Sequence, residues 1–134
     1  MTDRIGLDTN VLMRWLFVED GASQQSNVAT LAVSDGDVEI WINSIVLAEL
    51  IWLAAQKLKL GRPAQADMIR RLLVHPHVVM ADRGGVAQAL TAFELGGAGF
   101  VDHLIGALNT AAGCRTTLTF DKGAAKTPDF TQLS

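Results

Sequence analysis

The chain has 134 residues, 49% of them apolar and 19% charged, which excludes a disordered protein and suits one domain with a hydrophobic core. Its single cysteine excludes an internal disulfide and a cysteine-based metal site, and no apolar run reaches the roughly 20 residues of a membrane span, so we expect a cytoplasmic protein outside the membrane. The formal net charge of −3 lacks the basic excess of most nucleic-acid-binding proteins.

Strands alternate with helices along the chain, because apolar residues recur in turn at strand-like and helical spacing. The predicted elements, in chain order, are buried strand 5–8, helix 9–17, helix 23–34, strand 38–42, helix 44–59, helix 63–75, strand 77–80, helix 86–95, helix 100–112, strand 115–120 and an extended segment 130–133. Thr9 or Asn10 is expected to cap the first helix, and Asn43 or Ser44 the third. The alternation predicts an α/β fold with a parallel sheet covered on both faces. No repeat or linker interrupts the chain, so we expect one domain over 1–134.

Four carboxylates lie within or directly after apolar segments, where a solvated charge is unexpected. Asp8 and Asp121 each follow a predicted strand, and Glu49 and Asp102 lie among apolar residues near the start of predicted helices. Burying an unpaired carboxylate is costly, so each acid is expected to have a partner. Ligands of open parallel sheets bind beyond the carboxyl ends of the strands, and we therefore expect all four acids in one crevice.

A divalent cation would relieve the repulsion in such a crevice, which is about 4 kcal/mol for two unit charges 4 Å apart at an effective dielectric of 20. Carboxylate oxygens favour Mg²⁺ or Mn²⁺ over zinc, and the three histidines do not recur at zinc-ligand spacing.

Each acid also has a purely structural interpretation. Asp8 could cap a helix, Asp102 could stabilise a helix N-terminus, and Asp121 could form a turn. Glu49 could form a buried pair with Arg14 or Arg71.

The segments around the four acids resemble, in order, the four motifs of PIN domains. They are Asp8-Thr9-Asn10-Val11-Leu12, Asn43-Ser44-Ile45-Val46-Leu47-Ala48-Glu49-Leu50, Phe100-Val101-Asp102-His103-Leu104-Ile105-Gly106-Ala107 and Leu118-Thr119-Phe120-Asp121-Lys122. The order and spacing match over nearly the whole chain, and the size is similar to that of VapC-type toxins, which are single PIN domains. His103 and Gly106 depart from the small, alanine-like residues that the family commonly has there.

The resemblance implies a three-layer α/β/α sandwich with a central, mostly parallel sheet of four to five strands. It also implies a metal-dependent endoribonuclease, the toxin of a toxin–antitoxin pair, with RNA as substrate, an antitoxin as partner and a homodimer as the assembly. The implied catalytic residues and ligands of Mg²⁺ or Mn²⁺ are Asp8, Glu49, Asp102 and Asp121. The hydroxyl groups of Thr9, Ser44 and Thr119 either orient these carboxylates or only cap helices and pack against strands. Candidate RNA contacts are Arg14, Arg115, Lys122 and Lys126.

Two other functions stay open at this point. The first is a Mg²⁺-binding phosphoacceptor module of receiver type, which typically has an acidic pair after its first strand and a lysine after its last. Here Asp8 is followed by Thr9 and Asn10, and Lys122 directly follows an acid, which disfavours that hypothesis. The second is a PIN module that binds protein without catalysis, which the complete set of four acids disfavours.

Overall fold

The structure is a computed structural model that describes residues 3–17 and 38–134. The elements in chain order are β1 (Asp3–Gly6), α1 (Thr9–Phe17), β2 (Val38–Ile42), α2 (Ser44–Gln56), α3 (Arg62–Val74), β3 (Val78–Met80), α4 (Arg83–Glu94), α5 (Phe100–Ala111), β4 (Thr117–Thr119), a 3₁₀ turn (Ala124–Lys126) and β5 (Phe130–Gln132). The α/β class is confirmed. The predicted helix over 23–34 lies outside the described residues. Among the described helices, none is long and apolar enough to cross a membrane.

The described residues divide into two compact units. The first takes its residues from 1–59 and 71–81, and the second from 60–70 and 82–134. Five strands match the predicted ones in position, and all pair in parallel. They form a three-stranded sheet in the first unit and a two-stranded sheet in the second, where we predicted four to five strands in one sheet. The prediction of a single domain stays a prediction.

In the first unit, β2 lies between β1 and β3 and carries the core of the sheet. Val38, Ile40 and Ile42 alternate along β2 with half-buried residues, so one face of this strand is buried and the other is only partly covered. The prediction that the first strand is buried is wrong. β1 is an edge strand, and its only partly buried residue is Ile5.

Asn43, one of the two predicted capping residues, is the N-cap of α2. The Asn43 side-chain oxygen accepts a hydrogen bond from the Val46 N–H at 2.9 Å, while Asn43 itself has extended backbone angles. Leu47 and Leu50 of this helix are almost fully buried and pack in the core of the first unit. The cap and these apolar residues fix the start of α2, which also carries Glu49.

In the second unit, α4 and α5 pack closely against each other. Their Phe93 and Phe100 rings meet edge to face with centroids 6.0 Å apart. A Cβ atom at Gly85 would lie 3.0 Å from Leu108 Cδ2, so the glycine permits this approach. Helix α4 begins at Arg83, whereas the apolar pattern predicts a start near 86, because Gly84 and Gly85 are poor helix formers and carry no apolar side chain.

Candidate active site

Asp8 lies just beyond β1 and caps α1. Its Oδ1 accepts a hydrogen bond from the Val11 N–H at 3.0 Å, and its backbone carbonyl accepts one from Leu12 at 3.0 Å. The prediction that Thr9 or Asn10 caps this helix is therefore wrong, since both lie inside it. Asp8 is exposed, and a carboxylate has lone pairs on both oxygens, so the cap leaves Oδ2 able to accept another ligand.

Glu49 lies on α2 and is held by a hydroxyl of α1. The Thr9 Oγ1 donates a hydrogen bond to Glu49 Oε1, and Thr9 itself is buried. Within the residues that the structure describes, Glu49 makes no ion pair with Arg14 or Arg71, which removes the structural alternative given for it. Thr9 thus orients one carboxylate oxygen of Glu49 and leaves the other unrestrained by that contact.

The expectation that Glu49 is hidden from solvent is wrong. Ile45, Glu49 and Trp52 follow one another at helical spacing on one face of α2, and all three are exposed, with Ile45 at 79% and Trp52 at 57%. Apolar neighbours in sequence imply burial only if their face of the helix is covered. This face of α2 instead presents an acid between two large apolar side chains.

Asp102 lies in the first turn of α5 and is exposed. A negative charge there is favourable by roughly 0.3–1 kcal/mol because of the helix dipole. His103, the neighbouring residue, points elsewhere: it is only 3% exposed, and its Nε2 has no hydrogen-bond partner among the described residues. The two adjacent side chains therefore occupy opposite environments, with the acid in solvent and the imidazole in the core.

Asp121 follows β4 and organises a turn. Its Oδ2 accepts a hydrogen bond from the Ala124 N–H at 2.7 Å, and its own N–H donates to Thr119 Oγ1 at 3.0 Å. Asp121 is exposed, and these contacts agree with the turn interpretation. As with Asp8, one carboxylate oxygen is engaged by backbone, and the Thr119 hydroxyl holds the acid in place.

The remaining predicted site residues lie around these elements. Ser44 is the first residue of α2 and is half-buried. The candidate RNA contacts are all exposed: Arg14, Arg115, Lys122 and Lys126. Exposure leaves these four basic side chains accessible to a ligand, and it is equally compatible with ordinary solvated surface.

In the second unit, residues 96–99, which we name the glycine connector, join α4 to α5 and contact the turn that follows Asp121. Gly96 and Gly97 have φ angles of 105° and 83°, which side chains rarely adopt. A Cβ atom at Gly97 would lie 3.5 Å from the Gly123 carbonyl oxygen, and one at Gly123 would lie 3.7 Å from the Ala98 nitrogen. The connector thus leads directly into α5 and packs on the Asp121 turn, a contact that sequence reasoning missed because its partners are distant in the chain.

The four acids are all exposed, and none has a basic partner among the residues that the structure describes. Asp8 and Glu49 belong to the first unit, and Asp102 and Asp121 to the second. The three ion pairs found among the described residues use Glu39, Asp67 and Glu94 instead. Across ranges 3–17 and 38–134, no three histidine, cysteine, aspartate or glutamate side chains are grouped so that they could hold a metal ion. The chemistry of the four donors, hard carboxylate oxygens open to solvent, fits Mg²⁺ or Mn²⁺.

In a comparison with protein families, the model of the PIN domain matches residues 5–129. That range contains all four acids and every described helix. Comparisons with curated proteins and with solved structures give no match. The family model covers far more than half of the sequence, and the chain therefore belongs to the PIN domain family.

Proposed function

We propose that this protein is a Mg²⁺- or Mn²⁺-dependent endoribonuclease whose catalytic acids and metal ligands are Asp8, Glu49, Asp102 and Asp121. PIN domains are usually nucleases and generally use divalent metal ions. One observation carries the assignment to these residues. All four acids lie within the matched range 5–129 and are exposed and unpaired with arginine or lysine in the described part of the chain, whereas Glu39, Asp67 and Glu94 form ion pairs.

Hydrogen bonds within the protein orient three of these four carboxylates. Thr9 donates to one oxygen of Glu49, and backbone N–H groups hold one oxygen each of Asp8 and Asp121. A divalent cation, when bound, acidifies water and neutralises charge that develops on the scissile phosphate. Such ligands need a fixed orientation and access to solvent, and Asp8, Glu49 and Asp121 have both.

A cleavage assay with matched variants tests this proposal. Asparagine caps helices about as well as aspartate, so Asp8→Asn keeps the cap of α1 while it removes a charged ligand. We expect its activity with Mn²⁺ to fall by more than the roughly 10–100-fold that is typical for residues behind metal ligands. Asp67→Asn, which removes an exposed acid paired with Arg70, is the control and should cleave like the wild type. Equal activity of the two variants would contradict the proposal.

We further propose that the protein is the toxin of a toxin–antitoxin pair and forms a homodimer. Two exposed apolar side chains, those of Ile45 and Trp52, lie beside Glu49 and support a protein-binding surface next to the acids. Induced expression of the wild type should arrest growth, and co-expression of the adjacent reading frame should relieve the arrest. Asp8→Asn should not arrest growth. An equal arrest by this variant would favour the alternative of a PIN module that acts by binding alone.

RNA contacts are proposed for Arg14, Arg115 and Lys122. If one of these side chains binds a phosphate, its replacement with glutamine should reduce the salt dependence of RNA binding, with a change of slope close to one. The phosphoacceptor hypothesis loses its support, because the family match is to a PIN domain and not to a receiver.

A further inference from the structure

Arg62, the first residue of α3, binds the glycine connector through its guanidinium group. Its Nη1 donates to the Ala98 carbonyl at 3.0 Å and to the Gly97 carbonyl at 3.5 Å, and its Nη2 donates to the Phe93 carbonyl at 2.7 Å. The guanidinium carbon also lies 4.0 Å from the centroid of the Phe93 ring. None of the ion pairs found in the described ranges involves Arg62, so its donors are used on backbone carbonyls.

These carbonyls mark the end of α4 and the path from α4 to α5. The last carbonyls of a helix lack intrahelical partners, and a cation near them is favourable. The connector that follows contains two glycines in left-handed conformations, which lose much conformational entropy when they become ordered. A planar, charged fork that binds the helix end and the connector together offsets that entropy loss.

Both acid-bearing segments of the second unit depend on the path of this connector. Gly99 precedes α5, and its carbonyl accepts the His103 N–H at 3.2 Å, in the turn that carries Asp102. Ala98 is buried and packs on the turn at Gly123, which Asp121 organises. A shift of the connector would therefore move Asp102 and Asp121 together.

We propose that Arg62 is a positioning residue that holds Asp102 and Asp121 in place by fixing the glycine connector. The importance of that placement for metal binding rests on the function proposed above. The tie itself does not rest on it, because it can be measured without metal or RNA.

Amide hydrogen exchange of the metal-free protein tests the tie. In Arg62→Gln, the amides of Gly96, His103 and Ala124, which bond within or beside the connector, should exchange at least about ten-fold faster than in the wild type. Amides of β2 in the first unit should be unchanged. Arg71→Gln removes an exposed arginine from the same helix and is the matched control.

Arg62→Lys is the second variant, in case Arg62→Gln fails to fold. It keeps the charge but replaces the planar fork with a single ammonium, so it should give an intermediate increase in exchange at the same amides. The proposal would be overturned if these amides exchanged at the wild-type rate in Arg62→Lys and, if that variant folds, also in Arg62→Gln. An increase spread evenly over both units would also overturn it, since that indicates general destabilisation.

Mn²⁺ titration by calorimetry separates this inference from the proposed function. If the wild type binds Mn²⁺, Arg62→Gln should bind it about ten-fold more weakly and Arg71→Gln equally well, as expected when the residues that orient metal ligands are disturbed. Equal affinity in all three proteins would refute positioning for metal binding. If the wild type binds no Mn²⁺, the proposed function fails, while faster exchange at the connector would still support the tie.

Discussion

Replacing Gly106 with alanine is expected to destabilise the protein, although alanine is the better helix former. Gly106 is buried on α5, and the Phe130 ring of β5 lies against it. An added Cβ atom would lie 2.6 Å from Phe130 Cε2, 3.0 Å from Cζ and 3.2 Å from Asp129 Cβ. Carbon atoms pack at roughly 3.5–4.0 Å, so the ring must move.

Two opposing terms set the size of the effect. Overpacking a well-packed site costs roughly 1–3 kcal/mol, and replacing glycine with alanine inside a helix gains roughly 1 kcal/mol. Phe130 is half-buried, so its ring can shift at a cost in the lower part of that range, but Asp129 Cβ belongs to a less movable part of the side chain. We expect Gly106→Ala to lower the free energy of unfolding by about 1 kcal/mol.

Urea unfolding of a double-mutant cycle measures this directly. The cycle comprises the wild type, Gly106→Ala, Phe130→Leu and the double variant. In the Phe130→Leu background the clash is reduced, so Gly106→Ala should become neutral or stabilising. Additive effects of the two substitutions would refute the claim that the Phe130 ring requires a glycine at 106. A gain in stability for Gly106→Ala with Phe130 present would refute it as well.

Three further predictions concern stability. Asn43→Ala removes the hydrogen bond to the Val46 N–H and should cost about 1 kcal/mol in thermal or urea unfolding, whereas Asn43→Ser should cost much less; equal losses would argue against a capping role. Burial, with repulsion from His77, lowers the pKa of the His75 imidazole from 6.5, so the unfolded chain binds the proton first and stability should fall as the pH drops below about 6.5. His75→Gln should flatten that part of the pH profile, and an unaltered profile would remove His75 as the cause. Mn²⁺ at ~100 times its Kd should stabilise the wild type by about 2.7 kcal/mol but not Glu49→Gln, and a melting temperature insensitive to metal would count against the ligand assignment.

Local sequence patterns were sufficient for the elements themselves. The alternation in 38–42 and the cap at Asn43 place β2 and α2 where the structure has them, because strand periodicity and helix capping depend on neighbours in the chain. The position of each acid near a strand end or in a helix follows from the same local rules. The predicted start of α4 is about three residues too late, because Gly84 and Gly85 in its first turn have weak helix propensity.

Exposure and contact partners required the tertiary structure. Glu49 has apolar neighbours in sequence, but the face it shares with Ile45 and Trp52 is uncovered, and only packing decides which face of a helix is covered. The sequence left Asp8, Thr9 and Asn10 as alternative caps of α1, and the path of the chain beyond β1 decided for Asp8.

The sequence by itself determined the alternation of strands and helices and the set of four acids, since these depend on residue type and short-range spacing, and the alternation in turn indicated parallel pairing. Only the tertiary structure decided that Thr9 holds Glu49, that Phe130 requires a glycine at 106 and that Arg62 holds the glycine connector. Each of these contacts joins residues that are distant in the chain. Their formation depends on how packed elements bring the backbone together, and short-range spacing carries no information about that.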